Sequence, residues 1–508
     1  MTRTRSFASR IALLGLLLAT AVPALAQDLK SFEAKTTVHK LKNGWTFLIV
    51  ERPVAPVFSF CTQVDTGSAQ EVPGITGLAH MFEHLAFKGT ETLGTTNYPA
   101  EKKAIEATEA AYQALQTERL SSHPDAKKLA TLEAEFRKRQ QEAESYVVKN
   151  EYDEVLTKNG AIDPNAETNA DDTRYYYSLP SNKLELFLYL EADRFRHPVF
   201  REFYEERDVV QEERRMRTEG EPLGRLIEQF VATAFQAHSY HHPPVGYMSD
   251  LQSLTLTDAY AFYKTHYVPE NMVTVIVGDV KAATLVPLLD AYFGPIPAAP
   301  SAPPLRTVEP EQTGERIVIL EDPAQPFYVE AYHKPAGTDP DQPVYDAIDD
   351  ILSTGRTSRL YRSLVRDKKI AIQVGSFTGL PGDKYPNLWA VLAVPAFGAT
   401  NEQVQAALRS ELDRLTREDV TADELAKWKT RARASVVRSL NSNSGLAVQL
   451  AVTQRLYGDW RELFHYLDRV DKVTAQDIRR VAQRTFQKTN RTVAMIVTQS
   501  AAPAAAGR

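Results

Sequence analysis

Two segments far apart in the chain read alike, and that duplication constrains the fold more than any other feature. LTLTDAYAFYKTHYVPENMVTVIVGDV begins at Leu254, and VTAQDIRRVAQRTFQKTNRTVAMIVTQ begins at Val473. At a constant offset of 219, Thr255 meets Thr474, Asp258 meets Asp477, Tyr267 meets Phe486 and Asn271 meets Asn490. Each copy reads as a threonine- or aspartate-started helix, a short turn and an apolar strand. A chain of 508 residues is also too long for one core. The expected fold class is therefore α+β, in two related domains.

The boundary falls in FGPIPAAPSAPPLRTVEPEQTGE, residues 293–315, which is rich in proline and lacks apolar periodicity. It reads as a linker; a long surface loop inside one domain is the alternative. The expected division is an N-terminal domain over 27–294, a linker over 295–315, a C-terminal domain over 316–500 and a disordered tail over 501–508. Residues 101–157 read as an insertion. Two alanine- and glutamate-rich helical stretches flank a turn at Pro124, predicting a helical hairpin with solvated charged faces.

Residues 1–26 read as a signal peptide rather than part of the fold. Arg3, Arg5 and Arg10 precede an apolar stretch from Ile11 to Val22, and Ala24-Leu25-Ala26 forms a small-residue cleavage site. A membrane anchor is the alternative, but the run falls short of the roughly 20 residues a span needs. The mature chain then starts at Gln27, is exported and spans no membrane. Losing three arginines and no acid takes the formal charge from −6 to −9. An acidic chain without a basic run is a poor partner for nucleic acid. The single cysteine, Cys61, cannot form an internal disulfide and reads as a packed thiol. An exported chain without disulfides suits a bacterial periplasm.

The chemistry concentrates in GLAHMFEHLAFKGT, residues 77–90. On a helix, Leu78, Met81, Phe82 and Leu85 share one face, while His80, Glu83, His84 and Phe87 share the opposite one. Thr76 is the expected N-cap and Gly89 the expected stop. Imidazoles at i and i+4 can converge on one tetrahedral ion, or they can be two surface histidines beside an acid. A metal would need a third ligand. YEERDVVQEERRM, residues 204–216, offers Glu206 and Glu213 on one helical line, flanked by Val209, Val210 and Met216. Glu205, Arg207, Asp208, Glu212 and Arg215 take the expected solvated side. A carboxylate on an apolar stripe needs a partner, either a metal ion or a buried arginine.

Together these residues resemble the pitrilysin-type (M16) zinc metallopeptidases. His80-Met81-Phe82-Glu83-His84 is the inverted zinc-binding motif HxxEH. EERDVVQEE resembles the family pattern E-R-x-x-V-x-x-E, NGAIDPNAETNADDTRYYYSLP its N-A-x-T…T-x-Y-Y stretch, and LEADRFRHPVF its A-D-R-x-x-x-P helix. The resemblance covers about residues 35–500. It implies two homologous domains in a clamshell arrangement, each a mostly antiparallel sheet packed by helices. It implies one Zn2+ per chain held by His80, His84 and Glu213, with Glu83 as general base and Glu206 as a carboxylate orienting a ligating histidine. The implied activity is peptide-bond hydrolysis in oligopeptides or unfolded segments. A scavenger of oligopeptides and a processing peptidase with one protein substrate both fit. The implied substrate edge is the strand with Asn165, Ala166, Glu167 and Thr168, where main-chain pairing would hold an extended peptide.

The second half departs from the family pattern. Many relatives carry an arginine and a tyrosine there, in a run like L-R-x-x-x-G-L-A-Y, that hold substrate. In LVRDKKIAIQV, Arg366 matches the arginine, one residue is missing, and Ile372 stands where the tyrosine would. Isoleucine donates no hydrogen bond. Tyr361 is one replacement, and a slow enzyme is a second reading. Another is a homodimer, or a heterodimer with a paralogous M16 subunit that supplies the pair. The alternative function is a metal-binding, peptide-binding or scaffolding subunit that needs a partner chain for activity.

Overall fold

The repeated block folds the same way twice in the computed structural model, which describes residues 29–499. Helices Leu256–His266 and Ala475–Thr485 begin with identical capping boxes, Thr255 with Asp258 and Thr474 with Asp477. Each then passes through a single 3-10 turn closed by an asparagine. Asn271 Nδ2 donates to His266 O and Asn490 Nδ2 to Thr485 O, both at 3.0 Å. The signal-peptide and tail expectations for residues 1–26 and 501–508 lie outside the described residues.

The first half supplies β1 (Thr36–Lys40), β2 (Thr46–Glu51), β3 (Val57–Val64), β4 (Ile162–Thr168), β5 (Thr173–Pro180) and β6 (Met272–Gly278). They form a sheet in the order β1-β2-β6-β3-β5-β4. The second half supplies β7 (Arg316–Asp322), β8 (Phe327–Lys334), β9 (Ala371–Leu380), β10 (Asn387–Pro395) and β11 (Arg491–Thr498), ordered β7-β11-β8-β10-β9. In each sheet one pair is parallel, β2 with β6 and β7 with β11; every other neighbour is antiparallel. The fold is thus α+β in two homologous domains with mostly antiparallel sheets. Between helix Ala282–Phe293 and β7, residues 294–315 contain no helix or strand.

Both sheets carry helices on two faces, and each borrows one of these covers from the other half. Helix Asn443–Tyr457 lays Leu446, Ala447, Leu450 and Ala451 on Val50, Cys61 and Val275 of the first sheet. Helix Pro222–Ala234 lays Leu226, Phe230 and Val231 against Val329, Ala331 and Ala494 of the second. This double cover explains why every residue of β6 is buried, since a strand coated on both faces has no solvated side. Cys61 sits under the borrowed helix, free and fully buried, and burial pushes its thiol well up. No helix among the described residues is long and apolar enough to cross a membrane.

The insertion is a hairpin of helices Tyr98–Arg119 and Ala126–Glu144, followed by helix Glu151–Lys158. Its faces are not simply solvated, as the sequence suggested. Tyr112, Leu115 and Phe136 join the first core, and Glu101 is fully buried against Arg201, with Oε1 to Nε at 2.8 Å. Arg201 also donates to the carbonyls of Lys88, Thr90 and Leu93, so the insertion is tied to the loop that leaves the histidine-bearing helix.

Candidate active site

Helix Leu78–Leu85 follows β3 and buries Leu78, Ala79, Met81, Phe82 and Leu85, which leaves His80, Glu83 and His84 half-buried. The expected cap is wrong. Thr76 gives its hydroxyl to Asp250 at 2.7 Å, and the helix start is held instead by the buried Glu71 carboxylate. Its two oxygens accept from the N–H groups of Gly77 and Ala79 at 2.9 and 2.7 Å. These donors are unsatisfied at any helix start, and a carboxylate also suits the positive end of the dipole. Gly77 enters the helix at φ 90°, a conformation that favours glycine.

The carboxylates come from helix Phe203–Arg214, whose buried face is Phe203, Tyr204, Arg207, Val210, Gln211 and Arg214. That differs from the sequence expectation in two ways. Val209 and Met216 are 49% and 60% exposed, and Arg207 is buried. The insertion explains the exchange: the Arg207 guanidinium lies 4.6 Å from the Tyr112 ring and 4.9 Å from Tyr204, and donates to Leu254 O. A cation with aromatic faces and a carbonyl acceptor can be buried where a bare charge could not. Glu206 and Glu213 still share one side of the helix, half-buried and facing the histidines.

There the geometry is tight. Glu213 Oε2 lies 3.7 Å from His80 Nε2 and 3.5 Å from His84 Nε2. The two imidazoles are 4.9 Å apart and near perpendicular. One ligand atom from each of the three residues lies within 4.8 Å of the others, and no other such group is found among the described residues. A tetrahedral zinc with bonds of 2.0–2.1 Å separates its ligand atoms by about 3.3 Å, so the three residues fit that ion with small side-chain adjustments. Glu213 Oε1 is taken by Arg217.

Behind these three side chains lies a chain of polar contacts that the sequence reading caught only in part. Glu206 Oε2 is 3.3 Å from His84 Nδ1, which leaves Nε2 turned to Glu213. Glu206 Oε1 is 2.6 Å from Lys88 Nζ, and Lys88 also donates to Glu202 at 3.0 Å. Lys88 and Glu202 were missed. The available signal was spacing: Lys88 is four residues beyond His84, and Glu202 four before Glu206.

The protonation preferences follow from these contacts. Burial first, then the neighbouring His84, pulls the His80 imidazole down to about 4, the neutral form a metal requires. For His84 burial works in the same direction, but the hydrogen bond and charge of Glu206, with Glu213 and Glu83, carry it above the ordinary value. Burial raises the Glu83 carboxyl, against a hydrogen bond with Thr168. Glu206 is lowered: burial opposes this, and the His84 and Lys88 contacts overcome it.

Glu83 and His84 open onto a cleft of about 400 Å³ that β4 also lines, at Asn165 and Ala166. β4 is the last strand of its sheet, paired only with β5. Asn165 reaches Tyr176 OH at 3.2 Å, Glu167 pairs with Arg174 at 2.9 Å, and Ala166 is buried. Arg366 is not brought to this cleft. It is exposed on the 361–367 turn of the second half and pairs with its neighbour Asp367 at 2.7 Å; Ile372 is exposed as well. Every residue lining the cleft comes from the first half.

Residues 46–121 and 141–245 match the family described as insulinase (peptidase family M16), and residues 253–431 match the peptidase M16 inactive domain. The interruption at 122–140 falls within the helical hairpin. The zinc protease PqqE of Helicobacter pylori is 28% identical over 436 residues, 85% of each chain. The probable mitochondrial-processing peptidase subunit beta of Schizosaccharomyces pombe is 26% identical over 465 residues, 88% of each chain. Among solved structures, a protease from Helicobacter pylori matches with a TM-score of 0.76 at 27% identity, over 91% of this chain and 99% of that one.

Proposed function

Because the chain belongs to peptidase family M16 and resembles proteins named zinc proteases, we propose that it is a zinc-dependent metalloendopeptidase acting on oligopeptides or unfolded segments. The observation that carries this reading is the convergence of His80 Nε2, His84 Nε2 and Glu213 Oε2, with Glu83 beside them and outside the ligand set. Zinc at that point supplies Lewis acidity, making water a usable nucleophile at neutral pH and polarising a carbonyl. The protein's part is to place and move protons. Glu206 accepts from His84 Nδ1–H and so fixes the tautomer that presents Nε2. Glu83, its carboxyl raised by burial, accepts a proton from the attacking water and returns it to the leaving amine. The free edge of β4 aligns the substrate main chain, giving affinity with little demand on sequence.

The test separates binding from chemistry. Glu83→Gln should keep one zinc per chain and lose about 10²–10⁴-fold in peptide hydrolysis. Glu213→Ala should lose the metal. Hydrolysis at the wild-type rate in Glu83→Gln, or full zinc in Glu213→Ala, would overturn the assignment.

A second chain completes the substrate site in this reading. Its support is the position of Arg366, exposed and away from the cleft, with Ile372 in the tyrosine's place. A paralogous M16 subunit would bring the arginine–tyrosine pair, and a relative named as a subunit accords with that. Purified chain should be weakly active and gain activity with the co-expressed paralogue; full activity as an isolated monomer sinks the idea. Export to a bacterial periplasm is supported by residues 1–26 and predicts a recovered protein whose first residue is Gln27.

A further inference from the structure

The second half touches the turn that ends β4, the strand whose residues Asn165 and Ala166 line the cleft. Residues 169–172 join β4 to β5 and bond to themselves. Asn169 N–H donates to Asp172 O at 3.0 Å, and Asn169 Oδ1 accepts from the N–H groups of Asp171 and Asp172 at 2.7 and 3.0 Å. The Asp171 carboxylate is then free to look outward, and it meets the loop that joins β9 to β10. Its Oδ2 accepts from the N–H groups of Asp383 and Lys384 at 2.6 and 2.9 Å, and its Oδ1 from Tyr240 OH at 2.5 Å. Three donors to one ionised, 7% exposed carboxylate make a strong and directional clasp. Gly382 permits the approach: a Cβ there would lie 2.4 Å from Asp171 Oδ2 and 2.7 Å from Tyr240 OH.

The clasped turn is next in the chain to a reacting group. Thr168, three residues before Asp171, pairs with Thr173 where the turn begins, and its side chain donates a hydrogen bond to Glu83. On its other side the turn is held by the first half alone, with Ser68 and Ala69 N–H donating to Asn169 O and Ala170 O at 3.1 and 2.8 Å. Losing the clasp therefore shifts the turn and Thr168 without freeing the chain. Asn165 and Ala166 lie further from the turn and stay paired with Tyr176 and Tyr175 of β5.

We infer that Asp171, clasped by the 382–385 loop, is a positioning residue through which the second half sets Thr168 and so the orientation of the Glu83 carboxylate. The inference rests on the peptidase reading for what Glu83 does. It gives the second half a part in the reaction although the cleft is lined by the first half. A misaligned base costs rate steeply, whereas an edge strand that is still in place keeps its hold on a substrate main chain.

The full zinc-loaded chain is assayed on fluorescein-labelled denatured casein, with rates counted per bound zinc so that unfolded protein does not enter. Asp171→Ala and Gly382→Ala should each lower kcat about tenfold or more, with KM within about twofold of the parent. Zinc should stay at one per chain. Asp171→Asn keeps the side chain's size but sets an amide N–H among N–H and O–H donors; it should act in the same direction and serves where the alanine variant is too unstable to purify. The double variant Asp171→Ala/Gly382→Ala should lose no more than the worse single one, because both break one contact. In the metal-free chain, amide hydrogen exchange over residues 166–173 should quicken in both single variants. Arg52→Ala is the control. Arg52 ties the halves together at Leu440 O and Asn441 O, at 2.7 and 2.9 Å, beside β2, which three strands separate from β4. It should leave kcat within about twofold of the parent. The inference is overturned if hydrolysis runs through Glu83 and both single variants keep the parent kcat, or if exchange over 166–173 is unchanged. It is overturned too if Arg52→Ala lowers kcat as much, since any loosening of the seam would then suffice. A parent whose hydrolysis survives Glu83→Gln removes the peptidase reading, and this inference with it.

Discussion

The two halves of this molecule share a sheet register, a capping box and a turn asparagine, yet among the described residues only the first holds a cluster of side chains that could bind a metal ion. Helix Gln342–Ser353 follows β8 as the histidine helix follows β3. Its buried face is Val344, Tyr345, Ala347, Ile348, Ile351 and Leu352, and it has no histidine. The first half departs from that plain packing in three places. It sets His80, Glu83 and His84 on the side of a helix, it brings a second helix of carboxylates to them, and it carries a helical insertion tied in by a buried ion pair. The frame therefore supplies position, and the chemistry lies in polar groups that the frame must be adapted to bury.

If that is right, the first half depends on buried charge more heavily than the second, and the largest effect should follow from breaking its insertion anchor. Glu101→Ala leaves Arg201 buried without a counter-charge, between the insertion and the loop after the histidine helix. We expect a loss of about 3–5 kcal/mol in urea unfolding. A loss below about 1 kcal/mol would mean the insertion is passively attached. Next come the polar contacts behind His84. Glu206→Ala should weaken zinc affinity about 10–100-fold in chelator competition while the fold persists, since His84 loses the acceptor that orients it. Unchanged affinity would make Glu206 a partner of Lys88 alone.

The sequence carried the repeat, the helical spacing of His80 with His84, and the common line of Glu206 with Glu213, because periodicity is a local property of the chain. It misplaced Arg207, since its burial depends on aromatic rings from an insertion some 95 residues upstream at Tyr112. It named Thr76 as the cap because a hydroxyl next to a helix is the usual choice; the observed cap, Glu71, reaches back across a loop. The exchange of helices between halves was not legible either. Helix Asn443–Tyr457 would show the same apolar face whichever sheet it covered.

The repeated asparagine allows the halves to be compared at one position. Asn271 is buried and its Nδ2 donates to His266 O, Thr66 Oγ1 and Asp65 O, while its Oδ1 faces Arg455 of the borrowed helix. Asn490 is half-exposed and donates to Thr485 O and His333 O. Asn271→Ala should cost about 2–3 kcal/mol and Asn490→Ala about 1 kcal/mol, because a buried acceptor left unpaired is costlier than one that water can reach. Equal losses would show that the turn, rather than its connection across the halves, sets the value.

A further modest effect belongs to the second half and fades with acid. Glu424 closes the capping box of helix Ala422–Ser439 and receives two 2.8 Å hydrogen bonds from Arg359. Burial opposes its ionisation, but those bonds and the cap N–H hold its carboxyl down at about 2, against 4.5 for the free group. A depressed carboxylate stabilises the fold fully above its unfolded value and loses that contribution as pH falls toward the folded one. The window is therefore pH 4.5 down to about 2. The group is partly exposed, so screening reduces the effect to about 1–2 kcal/mol. Glu424→Gln should be less stable than the parent by that amount at neutral pH, and the two unfolding midpoints should converge as pH approaches about 2. A difference that persists unchanged through that window would assign the contact to packing of the Arg359 side chain rather than to its charge.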